Sequence, residues 1–68
     1  MINKFGERLK ELRLEKGLSQ DRLAKKVGLT HTAIGLWELN KRVPNLEAVI
    51  VLAEFFGVTV GYISGVEN

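Results

Sequence analysis

Residues 20–39 constrain the fold of this chain most, because small, capping and apolar residues recur there at fixed offsets. Ser19 and Thr30 are suited to cap two short helices, and Gly28 can take the left-handed conformation that ends the first of them. Ala24 leaves room for the two helices to cross closely. We expect the larger apolar side chains of the stretch to point inward: Leu23, Val27, Leu29, Ile34 and Trp37. The stretch therefore predicts two short helices packed across a tight turn.

The rest of the chain predicts three further helices, so that the fold class is all-α. The five expected helices are about Lys4–Lys16, Gln20–Val27, His31–Leu39, Leu46–Phe56 and Val60–Ser64. The remaining candidate caps are Asn3, Asn45 and Thr59, and glycines stand at 17, 57 and 65 where helices should end. Residues 40–44 form a basic loop, because Asn40 tolerates a left-handed backbone and Pro44 disfavours helix at Val43.

The apolar patterns of the first and fourth helices differ. Ile2, Phe5, Leu9 and Leu12 recur at three and four residues, which predicts one buried stripe. The helix at 46–56 has only Glu47 and Glu54 as polar residues, so we expect it to be central or to cover a partner.

Length and composition bound the functional classes. A chain of 68 residues forms one domain, 1–68, and no apolar run approaches the roughly 20 residues that cross a bilayer. The start MINKFGERLK lacks the apolar core of a signal peptide, so a soluble, cytoplasmic protein is expected. With no cysteine, disulfides and thiolate chemistry are excluded.

The charge is divided along the chain. Residues 1–42 carry all ten Lys and Arg against five acidic residues, a net charge of +5, whereas residues 43–68 carry only three acidic residues, a net charge of −3. A polyanion would be attracted to the first part. The alternative is that the lysines only keep helical surfaces solvated.

Almost the whole chain, from Phe5 to Ile63, resembles the Cro/C1-type helix-turn-helix family, also called the XRE or lambda-repressor-like family. The resemblance lies in FGERLKELRLEKGLSQDRLAKKVGLT, in I-x-x-W-E followed by the basic loop NKRVP, and in LEAVIVLAEFFGVTV. It implies a compact five-helix domain that binds double-stranded DNA, commonly as a homodimer on a two-fold operator, and regulates transcription, with repression as the expected role. The helix-turn-helix is 20–39, with 31–39 as recognition helix.

The resemblance implies two sets of DNA contacts. Ser19 and Gln20 match the phosphate-binding start of the second helix, where free backbone N–H groups also favour an anion. Lys41 and Arg42 match the basic loop that holds the phosphate backbone. The expected base contacts are His31, Thr32, Gly35 and Leu36. Because Gly35 and Leu36 replace a pair that is often polar in the family, we expect more reliance on phosphates and DNA shape.

The Trp-Glu pair of the family implies one structural ion pair, between Arg13 and Glu38. The resemblance also points to a dimer seam near the last helix. Its candidate residues are Val43, Val60, Tyr62 and Ile63. Val51 and Phe55 lie four residues apart on the fourth helix, where they either simply enlarge the core or add a dimer contact.

No catalytic residue, metal site, cofactor or small-molecule ligand is predicted. His31 has no second ligand at metal-binding spacing, and the carboxylates form no identifiable pair with a nucleophile or base. Two other functions stay open: an antitoxin-like or adaptor protein of the same fold acting mainly through a protein partner, and a helical interaction module without any role in nucleic-acid binding.

Overall fold

The computed structural model describes residues 4–67, whose regular structure is entirely helical. Five helices follow one another: α1 Phe5–Glu15, α2 Gln20–Val27, α3 His31–Glu38, α4 Leu46–Phe56 and α5 Val60–Ser64. The predicted all-α class and the order of the helices are confirmed. Three predicted ends were wrong by one residue, since Lys4, Lys16 and Leu39 are capping residues outside the helices.

Side chains cap four of the helices where the sequence predicted them. The oxygens of Ser19 and Thr30 each accept a hydrogen bond from the amide three residues ahead, at 3.1 Å, and Asn45 and Thr59 do the same at 2.8 and 2.9 Å. These bonds satisfy amides that a helix cannot pair internally. Asn3, the remaining candidate cap, lies outside the described residues, as does Ile2.

The recognition-helix candidate, α3, is bounded by two left-handed residues. Gly28, with φ of 73°, turns the chain from α2 toward α3, and Asn40, with φ of 58°, turns it away after α3. A side chain with a Cβ makes this conformation costly, although asparagine tolerates it. Both turns occur where the sequence predicted them.

All five helices contribute to one core. Its fully buried large side chains are Phe5, Leu9, Leu23, Ile34, Leu52 and Ile63. Trp37 is also buried, and Val27, Leu29 and Leu18 pack against the core while partly exposed. The inward orientation predicted for the apolar residues of 20–39 is therefore confirmed.

Helix α1 crosses the end of α3 at Gly6. A Cβ at Gly6 would overlap the carbonyl oxygen of Trp37 and lie 3.1 Å from that of Glu38. Beside this contact, the rings of Phe5 and Trp37 meet edge to face with centroids 6.1 Å apart. The absence of a side chain at Gly6 thus sets how closely α1 approaches the recognition-helix candidate.

Helix α4 is buried on one face only. Ala48, Val49, Leu52 and Ala53 form that face, whereas Leu46 is 68% exposed and Ile50 also reaches solvent. The prediction that α4 is central therefore holds for one face. Its outer side leaves apolar surface uncovered by the residues that the structure describes.

Helix α5 packs against α1 and α4. Arg8 of α1 donates hydrogen bonds to the carbonyl oxygens of Tyr62 and Glu67, and its guanidinium lies 4.3 Å above the ring of Tyr62. Ile63 is fully buried, so its prediction as a dimer contact was wrong. The helix turns Ile63 into the core instead. None of the helices within residues 4–67 has the length and apolar character needed to traverse a bilayer.

Candidate nucleic-acid interface

Helix α3 presents one side to the core and the other to solvent. Ala33, Ile34 and Trp37 are buried beneath it. On the opposite side lie the predicted base contacts: His31 and Thr32 are exposed, and Gly35 and Leu36 are half-buried. Leu39, just after the helix, is exposed as well. The structure thus leaves the predicted reading side of α3 accessible.

Arg13 of α1 holds the carboxylate at the end of α3. Its Nε donates to Glu38 Oε2 at 2.7 Å, and its Nη2 donates to Glu38 Oε1 at 3.0 Å. Both side chains are almost fully buried, with exposed fractions of 9% and 3%. The third guanidinium nitrogen, Nη1, donates to the carbonyl oxygen of Leu18 at 2.7 Å. The ion pair expected from the sequence is therefore present and bidentate.

The environment of Arg13 favours its charged form. The hydrogen bond to Glu38 raises the pKa of the guanidinium above its ordinary value. Burial works in the opposite direction, and the negative charge of Glu38 adds to the increase. Arginine is charged in proteins at any ordinary pH, and this environment strengthens that preference, so the pair stays ionised on the arginine side.

Gln20 completes this network from α2. Its Nε2 donates to Glu38 Oε1 at 3.0 Å, so a single carboxylate receives donors from both α1 and α2. No sequence pattern pointed to this contact, because the prediction for Gln20 concerned an external anion. The network, defined as Arg13, Gln20 and Glu38, joins α1, α2 and α3, and its donors compensate the negative charge of Glu38.

Features suited to an anion lie near the C-terminal half of α3. Gln20 reaches Glu38, so the start of α2 lies beside this part of α3. An α-helix leaves its first amides without internal partners, and at this end Ser19 accepts only from the amide of Arg22. Lys41 and Arg42 are exposed in the loop after α3, and the Lys41 amide donates to the Leu36 carbonyl at 2.9 Å.

The remaining seam candidates lie at different depths. Val43 is 74% exposed and Val60 is exposed, whereas Tyr62 is half-buried beneath Arg8. Val51 and Phe55 are half-buried, and Phe55 packs edge to face on Phe56, with ring centroids 5.0 Å apart. The exposed Leu46 and Ile50 were not among the predicted contacts.

Residues 4–67 contain no group of three or more His, Asp or Glu side chains placed to hold a metal ion. Arg13 and Glu38 pair with each other, and Lys41 and Arg42 are exposed to solvent. What the arrangement offers chemically is a helix with an open side, backbone amides and exposed cations.

A family model described as helix-turn-helix matches residues 9–68 of the sequence. The chain belongs to the Cro/C1-type helix-turn-helix family. The matched region includes the two-helix unit, the loop after it and both C-terminal helices.

Relatives of this helix-turn-helix chain include regulators with opposite effects. It is 41% identical to the HTH-type transcriptional activator BcrR of Enterococcus faecalis over 82% of this chain and 28% of BcrR. It is 39% identical to the SPbeta prophage-derived HTH-type transcriptional regulator YonR of Bacillus subtilis, over 87% of this chain and 55% of YonR. It is 32% identical to the cryptic phage CTXphi transcriptional repressor RstR of Vibrio cholerae, over 82% of this chain and 50% of RstR. The chain thus spans less than two thirds of each relative.

Proposed function

We propose that this chain is a sequence-specific, double-stranded DNA-binding regulator of transcription that inserts α3 into the major groove. The observation that carries the proposal is the construction of α3: the buried Arg13–Glu38 ion pair and the Gln20 side chain hold the helix in place while His31 and Thr32 remain exposed. A rigid helix with an open side of this size is what a major groove admits. The family membership and the naming of its relatives as transcriptional regulators support the same function.

The proposed phosphate contacts lie at two places. The hydroxyl of Ser19 and the backbone amide of Gln20 would donate to one phosphate at the start of α2. Lys41 and Arg42, both exposed, would hold the backbone beyond the other end of the groove. These contacts position the protein on DNA without reading its sequence.

The proposed base contacts lie along the open side of α3. His31 can hydrogen-bond a purine N7, and Thr32 can meet either a polar base edge or a thymine methyl group. Leu36 offers only apolar contact, which suits thymine methyls. Gly35 allows the helix backbone to approach the bases closely.

Lys41 provides the first test of the proposal. We expect binding to random-sequence DNA to weaken as salt rises, because the contacts release counterions. Lys41→Ala should weaken binding to all sequences alike and make the log–log salt slope shallower by about one. Lys16→Ala is the matched control: it removes the same charge from a side chain that lies over the ring of Phe55, 6.0 Å from its centroid.

A gel-shift titration at several salt concentrations measures both effects. Equal slopes for Lys41→Ala and Lys16→Ala would contradict the placement of the phosphate contacts. Binding that does not weaken with salt at all would contradict DNA binding through phosphates and would favour an interaction module.

We further propose that the regulator is a homodimer that represses by occupying its operator. Val43 and Val60 supply exposed apolar surface to the proposed seam, and the half-buried Tyr62 belongs to it as well. Two copies related by a two-fold axis would read half-sites about 10 bp apart, roughly 34–36 Å, or a multiple of this spacing. A random-pool selection that yields a non-symmetric consensus would contradict the dimer.

An adaptor-like function is the second candidate. The outer side of α4 favours it, since Leu46 and Ile50 expose apolar side chains in the described part of the chain. An adaptor would bind a protein partner through this side, with DNA contact secondary. Salt-dependent DNA binding with a defined consensus would favour the regulator.

A further inference from the structure

Gln20 holds its side-chain amide in one orientation. The Nε2 group donates to Glu38 Oε1, and a carboxylate held by Arg13 is an acceptor. Turning the amide over would bring two acceptor oxygens together, so the amide oxygen must point away from Glu38. The network therefore fixes which end of the amide faces outward.

The amide oxygen of Gln20 lies over the open side of α3. A Cβ built at Gly35 would be 3.4 Å from Gln20 Oε1 but 3.9 Å from Nε2, so the oxygen is the nearer atom. Among residues 4–67 no hydrogen bond reaches this oxygen, and it is not one of their buried polar atoms without a partner. Water therefore reaches it, on the same side as the proposed base contacts.

We propose that Gln20 is a specificity-determining residue that accepts a hydrogen bond from an exocyclic amino group in the major groove. This inference rests on the proposed function, since it requires α3 to lie in the groove. The amide oxygen, an acceptor, can pair with a base amino group but not with a phosphate oxygen, and only the second N–H of Nε2 is left in this side chain as a donor to phosphate. Adenine N6 and cytosine N4 are the amino groups that the major groove presents. The backbone amide of Gln20 remains free for a phosphate.

Glu38 acts in this scheme as a positioning residue. Its carboxylate orients the Gln20 amide without itself touching DNA, and Arg13 in turn fixes the carboxylate. The small size of Gly35 belongs to the same arrangement, because a branched side chain there would displace the amide oxygen.

The first experiment compares the wild-type chain with Gln20→Met, which keeps length and approximate volume but removes both hydrogen-bonding groups. Random-pool selection with each protein should show a preference for adenine or cytosine at one half-site position that is lost in Gln20→Met. The amino group is then deleted at that position, with purine replacing adenine or pyrimidin-2-one replacing cytosine. When the amino group is removed, we expect the affinity of the wild-type protein for this DNA to fall by about five- to tenfold. The affinity of Gln20→Met should be the same for the DNA with and without the amino group.

A second variant tests the orientation itself. Glu38→Gln keeps the size of the side chain, but the new amide group can donate as well as accept a hydrogen bond. The Gln20 amide can therefore turn over. The preference at that position should then broaden to bases with an acceptor, guanine or thymine. Thermal unfolding of both variants is measured first, and DNA binding is then measured at a temperature at which each variant is folded.

Three results would separate the possible failures. Equal weakening on all sequences, with an unchanged consensus in Gln20→Met, would overturn the inference and return the side chain to the phosphate backbone. An unchanged affinity and consensus would also overturn it. Wild-type binding that shows no salt dependence and no consensus would instead overturn the proposed function.

Discussion

At the scale of single residues, two ion pairs of the same kind differ in how deeply their side chains are buried. Arg13 and Glu38 have exposed side-chain fractions of 9% and 3%, whereas Lys25 and Asp21, 3.2 Å apart on the surface of α2, have fractions of 77% and 57%. Water screens the second pair and not the first. Loss of a partner therefore has different consequences in the two pairs.

Arg13→Ala should lower the free energy of unfolding by about 3–5 kcal/mol, because Glu38 would remain buried without its cation. The Leu18 carbonyl would lose its donor as well. Because Glu38 raises the pKa of Arg13, high pH is no practical way to break the pair, and substitution is required. Urea unfolding of the wild type and the variant measures the difference.

Lys25→Ala serves as the matched control for this prediction. The Lys25–Asp21 pair is exposed and spans one helical turn, so its loss should cost roughly 0–1 kcal/mol. If Arg13→Ala unfolded at the same urea concentration as Lys25→Ala, the ion pair would have no special part in fixing α3.

At the scale of helices, two glycines inside helices have different neighbours. A Cβ at Gly6 would overlap the main chain of α3, which has little freedom to move. A Cβ at Gly35 would meet Gln20 Oε1 at 3.4 Å, an ordinary contact with the end of a side chain. The first glycine is required by the crossing of α1 and α3, and the second is not required by the fold.

Gly6→Ala and Gly35→Ala should therefore change stability in opposite directions. Gly6→Ala should lower the free energy of unfolding by about 1–3 kcal/mol, through overlap at the crossing. Gly35→Ala should raise it by up to about 1 kcal/mol, through helix propensity. Thermal unfolding of the two variants measures both effects, and a stabilised Gly6→Ala protein would contradict the close crossing.

DNA binding supplies an independent readout at Gly35. If the α3 backbone approaches the bases there, Gly35→Ala should bind DNA more weakly although it is more stable. Stronger or equal binding would mean that the glycine serves neither the fold nor close approach to the groove.

Local chemistry explains which features of these helices the sequence predicted. Ser19, Thr30 and Asn45 cap helices through neighbours three residues away, so the sequence alone specifies their bonds. The contact at Gly6 and the bond from Gln20 to Glu38 depend on how helices cross, which no local pattern specifies. Ile63 was assigned to the seam from the family resemblance, which indicates the region of an interface but not which side chains of the five-residue helix Val60–Ser64 turn into the core.

At the scale of the whole molecule, exposed apolar side chains are unevenly distributed. Val43 and Leu46 lie close together in sequence where the loop enters α4, and both are largely exposed. Leu14 of α1 is 56% exposed but lies outside the proposed seam. Substituting Val43 and Leu14 therefore tests the proposed seam, because both are exposed apolar residues and only Val43 belongs to it.

Val43→Lys should raise the dissociation constant of the dimer by at least about tenfold, because a charge would be buried in the seam. Leu14→Lys should leave it unchanged. Equilibrium sedimentation of the wild type and both variants gives the constants. A wild-type monomer at high micromolar concentration, or equal effects of both substitutions, would contradict the proposed seam.

Trp37 is the single tryptophan of the chain, and its indole nitrogen is buried without a hydrogen-bond partner among residues 4–67. Lying in an apolar site against Phe5, it should fluoresce at short wavelength in the native state and shift to the red when water enters. Because the indole lies on the core side of α3, its emission wavelength reports whether the helix is packed against the core. A ligand bound to the exposed side of α3 should change that wavelength very little. The domain therefore carries its own optical indicator for distinguishing a variant that has unfolded from one that has lost only its target.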